Sequence, residues 1–123
     1  LKNGAVASTV GHDAHNIIVA GLSETDMKIA VDYLNAIQGG VVIVSDGKIL
    51  SKLELPIAGL LSDKKGAVVA ENNKILKENW IKIGCTLPYM GFNLLSLSVI
   101  PNFRLTNKGL IDVNKMKIIP LFE

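Results

Sequence analysis

SETDMKIAVDYLNAIQGGVVIVSDGKILSKLEL, residues 23–55, places a helix directly before a hairpin, and that succession decides the fold class. Ser23 suits an N-cap, with Asp26 three residues on as a shorter-armed version of the capping box. Met27, Ala30, Val31, Leu34 and Ile37 then follow the i, i+3, i+4, i+7 spacing of one apolar helical face. Gly39-Gly40 is expected to stop the helix, since glycine takes the left-handed C′ conformation without a Cβ clash. Val41–Ser45 is continuous and mostly β-branched, as in a strand covered on both faces. Asp46-Gly47 signals a type I′ turn, which needs positive φ at both positions. The return strand carries Ile49, Ser51, Leu53 and Leu55 on one face and Lys48, Leu50, Lys52 and Glu54 on the other. Its lysines mark an edge or half-exposed strand, and Pro56 ends it.

Working outward, Ala5–Val10 and Ile17–Ala20 read as two strands, joined by the segment VGHDAHN. Downstream, PIAGLLSDKKG is a loop in which Ser62 or Asp63 would cap the next helix. That helix spans about Gly66 to Ile83, with Val69, Asn72, Ile75, Leu76, Trp80 and Ile83 on its inner stripe and Gly84 closing it. Phe92–Ile100 is apolar enough for a strand or a buried helix. Lys117–Phe122 resembles a last strand broken by Pro120. The order predicts an α/β or α+β fold, a mixed β-sheet layered with two main helices, as a single domain over residues 1–123.

Composition excludes several function classes. Hydrophobic residues make up 49% of the 123, ample for a packed core. No apolar run approaches the roughly 18–20 residues that span a bilayer, so no membrane partner is expected. With 13 Lys+Arg against 11 Asp+Glu, and the lysines scattered, no clustered basic face is offered to nucleic acid. The single cysteine, Cys85, excludes an internal disulfide and fits a cytoplasmic setting. The chain opens LKNGAVAST without a methionine, which is expected of a piece of a longer protein.

The chemistry-bearing side chains gather at His12, Asp13, His15 and Asn16. His12-x-x-His15 can supply two metal ligands, but a catalytic zinc or iron site usually takes three or more, and no third histidine exists. Ser8, Thr9 or Ser62 with a histidine and Asp13 would be raw material for a triad, yet none sits in a Gly-x-Ser-x-Gly elbow. Two readings stay open: a turn whose polar side chains satisfy backbone groups, or half of a site completed by another domain or subunit.

Residues 4–19, GAVASTVGHDAHNIIV, resemble the segment GAIASSVAHDSHNIIV of bacterial and archaeal adenine deaminases. Gly39-Gly40-Val41-Val42-Ile43-Val44 with Asp46-Gly47-Lys48 is similar to that family's glycine-hydrophobic-DGK stretch. Leu55-Pro56-Ile57-Ala58-Gly59-Leu60-Leu61-Ser62-Asp63 is similar to its LPIAGLMSD. Leu97 to Pro101, Leu105-Thr106 and Gly109-Leu110-Ile111-Asp112-Val113 follow its LPVIP, LT and GLVDV. The sequence departs at Gly11, where the family has alanine, and at Ala14, where it has serine. It departs again over 87–95, LPYMGFNLL, against the family's LPDPFMTLSFL.

The resemblance implies the C-terminal domain of an amidohydrolase-superfamily enzyme that hydrolyses adenine to hypoxanthine and ammonia. It implies a preceding catalytic barrel of the parent chain as partner, with a divalent metal (Mn, Fe or Zn) held there and none expected in this fragment, which alone is expected to be inactive. His12, Asp13, His15 and Asn16 become the candidate substrate-proximal residues, Ser62 and Asp63 weaker ones, and assembly into a homo-oligomer is expected. The competing readings are a free-standing purine or small-ligand-binding domain and an oligomerisation module without catalysis.

Overall fold

Ser23 adopts an extended conformation and its hydroxyl accepts the Asp26 N–H at 3.3 Å, which starts the first helix where the spacing predicts. The computed structural model describes residues 1–122. The chain runs β1 (Ala5–Ser8), β2 (Ile18–Gly21), α1 (Glu24–Ala36), β3 (Gly40–Ser45), β4 (Lys48–Glu54), α2 (Gly66–Lys82), α3 (Tyr89–Phe92), β5 (Phe103–Thr106), β6 (Gly109–Asp112) and β7 (Lys117–Ile119).

The first four strands make one sheet in the order β2-β1-β3-β4, and the last three make a second, β5-β6-β7. Helices layered on a sheet are as expected from the sequence. The sheets themselves are antiparallel throughout rather than mixed. The reason lies in the strand order. β2 and β3, joined through α1, run parallel, but β1 lies between them and opposes both. Parallel neighbours therefore never meet.

β3 is buried along its whole length because a helix covers each face. Val42 and Val44 pack with Ala7 of β1 against Ala30 and Leu34 of α1. Val41 and Ile43 pack on the opposite face with Val6, Leu53 and Leu55 against Leu76, Trp80 and Ile83. Fully burying a side chain of this kind stabilises by about 1.5–3 kcal/mol, so these two layers dominate the fold. Phe92 joins the α2 layer edge-on to Trp80, ring centroids 5.5 Å apart.

The hairpin turn has the expected geometry, with φ of 54° at Asp46 and 73° at Gly47. The ladder slips by one residue beyond it, between Ile43 and Val44, so Leu50 has no direct opposite. Four expectations are corrected. Gln38, at φ 64°, takes the left-handed position after α1, and its N–H and that of Gly39 bond back to Asn35 and Leu34. Gly39 and Gly40, at φ 119° and 147°, are needed for close approach as well as for conformation: a Cβ on Gly39 would lie 2.5 Å from Gly59 Cα, and one on Gly40 would overlap the Leu53 carbonyl oxygen. On α2, Ile75 is 41% exposed, so the buried stripe is narrower than its periodicity suggests. Lys65 occupies the N-cap of α2 without a side-chain bond, while the Ser62 hydroxyl accepts the Lys64 N–H one turn earlier. Gly84, at φ 72°, does close that helix. The 92–100 stretch is neither strand nor long helix; after α3 it continues in successive i to i+3 turns.

Candidate functional site

β1 ends at Ser8, and the two hydroxyls there are absorbed by the backbone. Ser8 Oγ accepts the Val10 N–H at 3.0 Å. Thr9 Oγ1 accepts the Gly40 N–H at 2.8 Å and donates to the Gly59 carbonyl at 2.6 Å, tying the strand end to the 56–61 loop. Engaged in this way, neither is arranged as a nucleophile beside a histidine. Beyond them the chain leaves the sheet, turns through residues 10–17 and returns as β2.

That turn is held at two points. The His12 N–H donates to the Asn93 carbonyl at 2.8 Å, and Ser96 Oγ donates to the His12 carbonyl. The His15 N–H closes back on the Gly11 carbonyl at 2.7 Å, with His15 itself at φ 54°. Gly11 is buried against Ile18, whose Cδ1 would meet an added Cβ at 2.5 Å. The imidazoles of His12 and His15 lie with centroids 5.5 Å apart and planes tilted by 60°. His12 is exposed and His15 half-buried. His15 Nδ1 is enclosed and has no hydrogen-bond partner among the described residues. A buried imidazole nitrogen without a partner carries a desolvation cost.

Beside the histidines lies a cleft of about 230 Å³. Asp13, Ala14 and Asn16 form one wall, Ser96 and Ser98 the next, and Thr106, Asn107, Lys108 and Ile111 of the β5–β6 hairpin the third. Of the four candidates from the sequence, Asp13 and Asn16 line this cleft and His12 and His15 do not. The sequence does not reveal the serines or the hairpin turn, because 84 residues separate Ser96 from His12 and no periodicity marks either segment. Thr106 Oγ1 donates to the Gly109 carbonyl at 3.0 Å and accepts the Lys108 N–H at 3.1 Å, which fixes the turn carrying Asn107 and Lys108.

Ser62 and Asp63 are not brought to this cleft. Ser62 lines a separate apolar groove of about 500 Å³ between Leu53, Leu55, Leu60 and Leu61 and the first turns of α2. Asp63 pairs with Lys64 at 3.2 Å on the exposed surface. As for a metal, no three His, Cys, Asp or Glu side chains converge among the described residues. The His12–His15 pair offers two imidazoles and no third donor, so this donor set does not fit a metal centre. No described helix is long and apolar enough to cross a membrane.

Residues 1–117 match the model of the adenine deaminase C-terminal domain. The chain belongs to this family. Among curated relatives, the protein named adenine deaminase 2 from Bradyrhizobium sp. (strain ORS 278) is 61% identical over all 123 residues, which cover 20% of its own length. The adenine deaminases of Thermosipho africanus and of Clostridium botulinum (strain ATCC 19397 / Type A) are 46% and 45% identical, each over 99% of this chain and 21% of theirs. The chain thus spans about a fifth of the length of the curated relatives it matches. The adenine deaminase C-terminal domain, then, carries the histidine turn and the cleft described above.

Proposed function

We propose that this domain serves an enzyme that hydrolyses adenine, and that the His12–Asn16 turn completes the mouth of an active site built by the rest of that enzyme. In the reaction, a water oxygen adds to the amino-bearing ring carbon of adenine and the amino nitrogen leaves as ammonia, giving hypoxanthine. The activity reading is supported by family membership and by the names of the relatives. The observation that carries the role of the turn is the polar cleft that its Asp13 and Asn16 line, together with a His15 Nδ1 that has no partner among the described residues. Asn16 and Ser98 offer that cleft both donors and acceptors, and Ser96, whose proton goes to the His12 carbonyl, a further acceptor, matching a purine edge, which presents both in alternation. Any divalent metal (Mn, Fe or Zn) is assigned to a preceding amidohydrolase barrel, and no residue of this domain is assigned to it. A cytoplasmic, homo-oligomeric enzyme of purine salvage is the corresponding setting.

The test is made in the full-length enzyme carrying this domain. His15→Ala is expected to lower kcat/KM for adenine by about 10²-fold, the lower end of what a positioned proton-transferring or hydrogen-bonding group contributes, with metal content unchanged. Unchanged kinetics for both His12→Ala and His15→Ala would return the turn to a purely structural role.

A further inference from the structure

The second sheet has a face that the domain itself does not cover. In the β5-β6-β7 ladder Leu105, Leu110 and Ile119 stand directly opposite one another, and Phe103 projects to the same side two residues along, opposite Asp112. Phe103 is 54% and Leu105 58% exposed. Neither α1 nor α2 lies over this sheet, and neither core cluster includes any of its residues. The opposite face borders the cleft beside the histidine turn through Thr106 and Ile111, and Ile118 on that side is 62% exposed. A three-stranded sheet gains independent stability only when its apolar face is covered, and a contiguous exposed apolar patch marks an interaction surface.

We propose that the face formed by Phe103, Leu105, Leu110 and Ile119 is the seat of the preceding, catalytic portion of the same polypeptide. The occupant follows from two facts together. The family is a C-terminal domain, and its curated relatives are about five times as long as this chain, so about four-fifths of each relative lies outside the segment matched here. A body resting on this sheet also borders the β5–β6 turn, whose Asn107 and Lys108 rim the cleft. The inference rests on the function proposed above, which gives the same polypeptide a catalytic portion, and it supplies that portion's attachment point.

Hydroxyl-radical footprinting reads side-chain exposure directly. It is applied to the 123-residue chain and to the full-length enzyme at equal low concentration, with protection of Trp80, 3% exposed within the domain, required in both as the sign that each is folded, and with adenine turnover measured on the same full-length sample. Phe103 and Leu105 are expected to react readily in the 123-residue chain and to lose most of that reactivity in the full-length enzyme. Equal reactivity in the two overturns the inference, as does protection in the 123-residue chain that grows with concentration, because a second copy is then the occupant. Turnover without protection sinks the docking face and leaves the activity reading standing. Protection without turnover supports the seat and overturns the activity reading. Leu105→Asp in the full-length enzyme is a second measure: its expected result is restored reactivity at Phe103, and undiminished protection there overturns the inference.

Discussion

Asp26 Oδ1 accepts the Gly47 N–H at 2.8 Å, so the first turn of α1 holds the tip of the β3–β4 hairpin. Asp26 is buried to 4% exposure although it is an acidic residue near a helix end. Its carboxylate is not spent on a capping box. The Ser23 hydroxyl caps α1 from one side only, and Asp26 reaches across the sheet instead. This bond joins the two elements whose succession sets the fold.

Removing the acceptor should therefore cost more than a cap does. Asp26→Ala is expected to destabilise the chain by about 1.5–3 kcal/mol, the range for a hydrogen bond to a charged group. Asp26→Asn keeps a side-chain oxygen and should lose less. Urea unfolding of both variants decides it, and equal losses would show that burial of the side chain matters rather than the bond to Gly47.

The C-terminus of α1 gives a prediction of opposite sign. Gln38 holds the left-handed position at φ 64°, where a side chain is strained and glycine is not. Gln38→Gly is expected to raise stability by about 0.5–1 kcal/mol, with relief of strain partly offset by the freer unfolded chain. A lowered thermal midpoint would mean that the Gln38 side chain makes a contact worth more than the strain.

These two positions also show where sequence reading succeeds. The start of α1, the type I′ turn and the edge character of β4 were legible because each depends on residues within a few positions of one another. What escaped depends on distant partners. The left-handed residue could not be told from the glycines beside it without knowing that Gly59 and Leu53 press on Gly39 and Gly40. The antiparallel sheet escaped because β1 inserts between two strands that the crossover helix joins. At the candidate site the histidine turn was legible as a polar cluster, while Ser96, Ser98 and the Asn107-Lys108 turn were not, since the fold alone carries them to it.

The edge of the first sheet supplies a prediction about acid. Glu54 Oε1 accepts from Tyr33 Oη at 3.0 Å and pairs with Lys52 Nζ at 2.7 Å, linking β4 to α1. Lys52 also sits 5.2 Å above the Tyr33 ring. The hydrogen bond from Lys52, seconded by that from Tyr33, holds the Glu54 carboxyl below its ordinary range. A carboxylate whose folded pKa is depressed contributes stability that is fully present above its unfolded pKa and is lost as pH falls through the folded value. Glu54→Gln should accordingly lower the thermal midpoint slightly at neutral pH. That deficit should close as the pH falls below the ordinary glutamate range and through the lowered folded value, where the wild-type carboxylate is itself protonated. The pair is half exposed, so the effect should be small and should shrink in high salt. Asp112, held low chiefly by its bond to Lys115, loses stability in the same window and is common to both proteins, so it cancels from the difference. Midpoint-versus-pH curves that run parallel for the variant and the wild type would mean that the Lys52–Glu54–Tyr33 cluster contributes nothing to folding.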